Sequence, residues 1–180
     1  MREEYAIILD YLPHGYAASR HATPIAQAIG VANFTLLELI PKPNVELRPE
    51  ERVYIGSGER DKIERVRRRL KLNELTSLAR ETLETVLDKL IRENESKLVE
   101  RINHAGLITP RLHQLELLPG VGKKLANAMI NARPFSSFED VNQRTGIKDI
   151  TKLIKRRILE EMEGKEKYYI FTKPFPQRMF

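Results

Sequence analysis

The sequence predicts an α+β protein, in which a small N-terminal β barrel of OB type is followed by helices and by a C-terminal pair of helical hairpins. Short apolar runs separated by Pro and Gly fill the first third, and apolar residues at helical spacing fill the middle. Two turns containing glycine then separate further helical patterns. The expected segments are a barrel at 1–58, a helical connector at 59–103, a hairpin domain at 104–163 and a tail at 164–180.

Three short apolar runs predict the strands of the N-terminal segment, namely Tyr5–Leu12, Phe34–Ile40 and Arg52–Ile55. Several short strands within one small segment favour a barrel, and barrels of this size often carry nucleic acid on one face. Some of its ring-bearing side chains are candidates for base stacking, and the alternative is that they fill the core. These side chains are Tyr11, Tyr16, His21, Phe34 and Tyr54.

Residues 59–71 have apolar side chains at helical spacing, which predicts a short amphipathic helix. The apolar positions are Ile63, Val66 and Leu70. A neighbouring face would carry Lys62, Arg65 and Arg69, with Arg67, Arg68 and Lys71 nearby. We expect this cluster, and Arg65 and Arg69 in particular, to be a second group of phosphate contacts. The alternative interpretation is a solvated helix face, balanced by the acidic residues of the same segment.

A longer helical pattern follows from Glu74 to Asn103, with Thr76 as a capping residue and Asn94 as a point of interruption. Beyond the hairpin domain, the run Lys167–Thr172 leaves the helical pattern. We expect this run to form a strand that docks on the N-terminal sheet.

Residues 115–130 form the most informative stretch, because a predicted helix, a tight turn and a second helix follow one another there. A Gly-x-Gly turn that opens a helix can point several backbone N–H groups outward, since glycine has no Cβ to block an anion. Lysines occupy the first helical turn, where a purely structural sequence would favour Asp or Glu. The expected phosphate contacts are Gly120, Val121, Gly122, Lys123 and Lys124.

A second helix–turn–helix is predicted over residues 138–163, with its turn at Thr145–Lys148. This turn has a single glycine, Gly146, so we expect it to be mainly structural. Its candidate phosphate contacts are Lys148, Lys152 and Lys155.

The string Leu118-Pro-Gly-Val-Gly122, followed by Ala126 and Ile130, resembles the helix-hairpin-helix motif. The resemblance implies that the hairpin amides contact a sugar-phosphate backbone without reading bases. It also implies that hairpin carbonyls can hold a monovalent cation, and no other cofactor is expected. Tandem copies of this motif commonly pack into one unit of four helices.

Nearly the whole chain resembles an archaeal family of uncharacterised proteins, the domain-of-unknown-function 655 family. The segments that carry this resemblance are Phe34–Glu38, Glu51–Gly56, Arg92–Glu95 and Arg111–Leu118. It implies a DNA- or RNA-binding protein with an N-terminal β domain and a C-terminal helix-hairpin-helix pair, and it implies no reaction.

The net charge of +6 lies entirely in the C-terminal part of the chain. Residues 1–104 carry 17 Lys and Arg against 17 Asp and Glu, whereas residues 105–180 carry 14 against 8. Positive potential around the hairpins would attract phosphate and make binding dependent on salt.

The composition excludes cysteine-based sites and indicates no membrane-spanning segment. The absence of Cys excludes disulfides, Cys-ligated zinc and iron–sulfur clusters. No apolar run approaches the roughly 20 residues that span a bilayer, and the first residues do not resemble a signal peptide, so a cytoplasmic protein is expected. The four histidines lack the spacing of metal ligands.

These patterns favour a non-enzymatic protein that grips nucleic-acid backbones largely without regard to sequence. A second interpretation is a module that docks protein within a repair or ribosome-associated assembly. A third follows from resemblance to DNA glycosylase-lyases, which use the same hairpin and whose bifunctional members carry a catalytic lysine at the position of Lys124. Those enzymes also carry an aspartate further along the chain from their catalytic lysine, and Asp140 lies near the matching position in this sequence. The predicted N-terminal β segment does not fit the fold of those enzymes.

Overall fold

The computed structural model describes residues 2–176, and the chain divides into two compact units, Met1–Leu87 and Asp88–Phe180. An antiparallel five-strand sheet, curled into a half-barrel, is followed by five helices. The predicted α+β class is therefore confirmed. The predicted segment boundaries at 58, 103 and 163 stay predictions.

The sheet has the strand order β4-β1-β2-β3-β5, which places β4 and β5 at its two edges. All of its strand pairs are antiparallel. The strands are β1 Tyr5–Leu12, β2 Ile25–Gly30, β3 Leu36–Pro41, β4 Arg52–Tyr54 and β5 Ile63–Arg69. The three predicted strands correspond to β1, β3 and β4, whereas β2 was not predicted.

The helix predicted at 59–71 is wrong, because Ile63–Arg69 forms the edge strand β5. Its pairing with β3 shifts register twice, so seven residues of β5 lie opposite the five residues Leu37–Pro41. Each shift adds one residue to β5, and this stretches the ordinary period of two toward the spacing of a helix. The bulges therefore explain why Ile63 and Val66 imitate a helical stripe.

The apolar face of the sheet buries small and branched side chains from neighbouring strands. Its buried members are Ala6, Ile8, Ala26, Ala28, Leu37, Leu39, Val53 and Ile63. Every residue of β2 and β3 is buried, so both faces of the central strands are covered. This burial includes charged and polar side chains that need specific partners.

A row of buried polar residues crosses the sheet, formed by Asp10, Gln27 and Glu38 at facing positions of β1, β2 and β3. Thr76 covers one end of the row: its hydroxyl donates to Asp10 at 2.6 Å, and its N–H donates to Gln27 at 2.9 Å. Gln27 also donates to the carbonyl of Glu74 at 3.0 Å. The row thus fastens the segment before the first helix to the sheet.

The helices are α1 Ser77–Glu93, α2 Glu95–His104, α3 Lys123–Ala132, α4 Phe138–Thr145 and α5 Ile150–Met162. Asn94 separates α1 from α2, and the hydroxyl of Thr76 accepts the N–H of Ala79 at 3.1 Å, so both helix signals are confirmed. A small hairpin of β6 Leu107–Thr109 and β7 Leu112–His113 precedes α3. The helix predicted before the first Gly-rich turn is only a single 3-10 turn, Gln114–Leu117.

The run Lys167–Thr172 contains no strand, so the predicted pairing with the N-terminal sheet is wrong. Its backbone is held by side chains of the helices instead. The carboxylate of Glu161 on α5 accepts the N–H groups of Ile170 and Thr172, both at 2.7 Å. The guanidinium of Arg101 donates to the carbonyl of Ile170 at 3.0 Å, and burial lowers the pKa of this arginine. This run forms no strand because side chains of the helices satisfy the backbone N–H and C=O groups that a neighbouring strand would otherwise bind.

Candidate nucleic-acid interface

The first Gly-rich turn is closed by its own backbone. Gly120 lies in the left-handed region with φ of 80°, where a side chain would be strained. The N–H of Val121 donates to the carbonyl of Leu118 at 3.0 Å, and the Val121 side chain is buried. The turn itself thus uses the N–H group of Val121, and the expected contact of this amide with phosphate stays a prediction.

The N-terminus of α3 is open. Gly122 is its N-cap residue and offers no side chain to accept the first N–H groups, and the first turn contains no acidic residue. The carbonyl of Gly122 accepts the N–H of Ala126 at 2.9 Å, which is the first bond of the helix. The N–H groups of the preceding first turn therefore have no intrahelical partner, and the helix dipole adds positive potential there. No atom lies within 4 Å of a Cβ built on Gly120 or Gly122, so the approach is clear.

The two lysines of the first turn have different environments. The ammonium of Lys123 binds the carbonyl of Arg111 and lies 3.2 Å from the carboxylate of Glu116, so it fastens the segment before the turn. The N–H of His113 and then Lys123 lower the pKa of that carboxylate. Lys124 is exposed and has no hydrogen bond or ion pair with the described residues. Lys124 is therefore the lysine available to a ligand.

The second turn is closed where the first is open. Asp149 caps α5 by accepting the N–H of Thr151 at 3.0 Å and its hydroxyl at 2.6 Å. The side chain of Asn142 accepts the N–H of Ile150 at 2.8 Å. Since protein atoms already satisfy these N–H groups and a carboxylate lies among them, this helix start does not offer an anion site.

A groove brings parts of both turns together within the second unit. Pro119 and Gly120 line it from the first turn, and Lys148 and Lys152 line it from the second. Both lysines are exposed and have no ion pair with the described residues. The groove therefore places two ammonium groups near the open N-terminus of α3, together with the carboxyl side chains of Glu95, Glu139 and Asp149.

Lys155 does not belong to this arrangement. Its ammonium lies 3.0 Å from the carboxylate of Asp88, and only 20% of its side chain is exposed. This ion pair and the low exposure make Lys155 less accessible to a ligand than Lys148 and Lys152, and its expected phosphate contact stays a prediction.

The remaining predicted contacts lie on β5 in the first unit. Arg65 is exposed and lies opposite Ile40, whereas Arg69 is half-buried opposite Leu37. The helical face that was expected to join them does not exist. Arg67 and Arg68, which the sequence placed near these contacts, both pair with the buried carboxylate of Glu38, at 3.4 and 3.3 Å. No local signal in the sequence marks this pairing, since it spans about 30 positions.

The turn that leads into the hairpin depends on a buried histidine. The imidazole of His113 accepts the N–H of Leu115 at 3.1 Å, and the N–H of His113 donates to Glu116 at 2.7 Å. Burial, followed by the charge of Arg133, lowers the pKa of His113 below its ordinary value of 6.5. The neutral imidazole is therefore the form that holds this turn.

We expect acid to weaken the fold through His113. A lowered pKa means that the unfolded chain takes up the proton more readily, so this contribution is complete above pH 6.5 and declines as the pH falls below that value. Urea unfolding at about pH 7.5 and 5.5 should show a larger loss of stability in the wild type than in His113→Asn. Asn keeps an acceptor for Leu115 but does not titrate. Equal losses in the two proteins would contradict the assignment.

No group of three or more His, Asp or Glu side chains within residues 2–176 is arranged to hold a metal ion. Asp140, the counterpart of the lyase aspartate, accepts the N–H of Ser136 at 2.9 Å and pairs with Arg144 at 3.1 Å. These partners, with the Ser136 amide first, lower its pKa. The Asp140 side chain therefore stabilises the start of α4. Among the same residues, no helix combines the length and apolar character that crossing a bilayer requires.

Comparisons with known proteins agree over nearly the whole chain. The family model DUF655, described as a protein of unknown function, matches residues 2–173. The uncharacterised protein MJ0038 of Methanocaldococcus jannaschii is 44% identical over 176 residues, which are 95% of this chain and 80% of that protein. The crystal structure of Af1531 from Archaeoglobus fulgidus is similar with a TM-score of 0.81 and 43% identity, and the match covers 95% of this chain and 100% of that chain. Both relatives are archaeal.

Proposed function

Since the chain belongs to DUF655, whose function is unknown, we propose its role from its own geometry: it is a non-enzymatic protein that binds the sugar-phosphate backbone of DNA or RNA. The observation that carries the proposal is the open N-terminus of α3, with Gly122 as its cap and Lys124 unpaired beside it. A helix N-terminus with a free cation and a clear approach suits a phosphate group.

The contrast between the two turns supports this assignment. Asp149 occupies at α5 the position that Gly122 occupies at α3, and it satisfies its helix start internally. A turn needed only for packing would gain from the same kind of cap, because replacing Gly by Asp at this position stabilises a helix by a few tenths of a kcal/mol. The first turn leaves this gain unused, which suits a site that receives its anion from a ligand.

We interpret the two turns as a tandem helix-hairpin-helix unit and the curled sheet as OB-like. The bound polymer would contact the amides of Gly122, Lys123 and Lys124, with Lys148 and Lys152 on the groove beside them. Contacts of this kind position a backbone but carry no information about bases. We therefore expect binding that is largely independent of sequence.

Fluorescence anisotropy with matched single- and double-stranded DNA and RNA, titrated across salt, tests the proposal. We expect dissociation constants in the micromolar range or below at low salt, and log affinity should fall linearly with log salt as phosphate contacts release counterions. The preferred polymer distinguishes a role on the genome from one on RNA. A wild-type protein that binds none of the four polymers at low salt would refute the proposal.

Two lysine variants sharpen the same assay. Lys124→Ala should lower affinity about tenfold and reduce the salt slope by about one. Lys155→Ala removes the same charge from a residue paired with Asp88 and should change affinity by less than about twofold. Equal effects of the two substitutions would show that net charge, and not the hairpin, determines binding.

An exposed apolar residue favours a second candidate, docking of a protein partner. Leu107 on β6 is 70% exposed, and the hairpin that carries it is fastened to the start of α3 by Lys123. Stoichiometric co-purification of a protein from nuclease-treated extract, together with no binding of nucleic acid, would favour docking within a repair or ribosome-associated assembly.

The lyase alternative has weaker support, because Asp140 is engaged in capping α4. Borohydride trapping on abasic-site DNA tests it directly. A covalent adduct that disappears in Lys124→Ala would make the protein an enzyme.

A further inference from the structure

A separate pocket lies in the first unit, between β5 and the loop that joins β1 to β2. Polar and cationic side chains make up much of its lining, and none of them takes part in the hairpin. They are Tyr16, Ser19, His21, Thr23, Arg65 and Arg67.

The loop side of the pocket is held in place by its own bonds. Gly15 has φ of 71°, and a Cβ there would lie 2.7 Å from the carbonyl oxygen of Thr23, so the two ends of the loop touch. The hydroxyl of Ser19 donates to the carbonyl of His21 at 3.0 Å. The Tyr16 hydroxyl donates to Glu38 at 2.6 Å, and burial, then this bond, raises the pKa of Tyr16 to about 12. The pocket wall is thus formed before any ligand arrives.

On the sheet side of the pocket, the half-exposed Arg67 is paired with the buried carboxylate of Glu38. Glu38 is 0% exposed, and its Oε2 atom has no hydrogen bond but lies 3.4 Å from the guanidinium of Arg67. A buried carboxylate is costly unless it is paired, so this pairing orients Arg67. Half of the Arg67 side chain stays exposed, and a guanidinium has five N–H donors. Most of its donors therefore remain available to a ligand.

Arg65 completes the cationic wall. It is exposed and has no hydrogen bond or ion pair with the described residues. Arg65 and Arg67 both lie on β5, and the side chains of both line the pocket. The two positive charges of Arg65 and Arg67 exceed the single negative charge of the buried Glu38 carboxylate, so the pocket attracts anions.

We propose that this pocket binds a phosphate monoester, with Arg65 and Arg67 as its ligands and Glu38 as the residue that positions Arg67. Guanidinium groups match the geometry of phosphate oxygens through paired N–H donors. The monoester would come from a free nucleotide or from the 5′-phosphorylated end of a nucleic-acid strand. This site shares no residue with the first Gly-rich turn, so its test is independent of the test of the function proposed above.

Isothermal titration calorimetry at low salt with AMP and adenosine tests the site. The wild type should bind AMP and not adenosine, and Arg65→Gln should weaken AMP binding at least about tenfold, because it removes a charge-assisted hydrogen bond. The Arg65 guanidinium has no hydrogen bond or ion pair within the described residues, so this variant should fold, as circular dichroism would verify. Arg156→Gln removes an exposed arginine of α5 and should leave AMP binding unchanged.

A second arm identifies the source of the phosphate. A short strand with a 5′-phosphate should bind more tightly than the same strand with a 5′-hydroxyl, and Arg65→Gln should abolish the difference. AMP that binds as tightly as the phosphorylated strand would identify the free nucleotide as the ligand, which also supports the site. Absence of AMP binding by the wild type, or unchanged AMP binding by Arg65→Gln, would overturn the proposal whatever the hairpin binds.

Discussion

Replacing Gly122 by Asp should separate nucleic-acid binding from stability. The residue has extended backbone angles, with φ of −91° and ψ of −174°, and no atom lies within 4 Å of a new Cβ. An Asp side chain can therefore cap α3, and stability should stay equal or rise by a few tenths of a kcal/mol. Binding should fall by about 2 kcal/mol or more, roughly 30-fold, because a carboxylate takes the amides that the phosphate would use and repels it.

Anisotropy at fixed salt measures the loss of affinity, and urea unfolding measures stability on the same samples. Asn131→Asp is the matched control, because it makes the same change of charge at an exposed site near the other end of α3. This control should bind nearly as the wild type does. If Gly122→Asp retains full affinity while its unfolding curve is normal, α3 does not hold a phosphate.

Replacing Glu161 by Ala should destabilise the second unit severely. The carboxylate is 0% exposed and accepts the N–H groups of Ile170 and Thr172 at 2.7 Å and that of Phe171 at 3.2 Å. It also pairs with the buried guanidinium of Arg157 at 3.2 Å. Its removal takes the closest carboxylate away from the buried guanidinium and leaves three backbone N–H groups without this acceptor, which costs about 3–5 kcal/mol. Urea unfolding followed by circular dichroism measures the loss.

Glu160→Ala provides the comparison, since Glu160 is the neighbouring acid on α5 and forms only longer ion pairs with Arg156 and Arg157, at 3.7 and 3.6 Å. Partly exposed pairs of this kind contribute less than about 1 kcal/mol. Limited proteolysis adds a local readout, because cleavage between 165 and 172 should accelerate in Glu161→Ala alone. Similar stability losses in the two variants would show that the buried carboxylate has no special role.

Local patterns were sufficient to predict much of the fold. The helices around Asn94 followed from apolar residues at helical spacing, and the capping role of Thr76 followed from its position before that pattern. The second turn lies where the sequence predicted it, and its glycine, Gly146, ends α4 with φ of 74°. At the first turn, α3 begins directly after the Gly-x-Gly sequence with Gly122 as its N-cap, so Lys123 and Lys124 lie in the first helical turn as predicted.

The features that were missed depend on partners distant in the chain. Strand β2 was not predicted because its alanines and the buried Gln27 are not typical of a strand, and Gln27 is satisfied through Tyr16, Glu74 and Thr76, which lie elsewhere in the chain. Likewise, the pairing of Lys155 with Asp88 bridges a long sequence separation. A single sequence shows neither the burial of a side chain nor the charge that faces it across such a distance.

An edge strand of a sheet has unpaired backbone groups that can bond to a strand of another chain. Both edge strands of this sheet, β4 and β5, have features that oppose such pairing. At one edge, β4 is only three residues long, which offers too short a template for pairing. At the other edge, β5 is kinked by two bulges and carries Arg65, Arg67, Arg68 and Arg69, so an incoming strand would meet misaligned donors and repelling charge. The arginine-rich edge therefore also protects the protein against aggregation through edge-to-edge association.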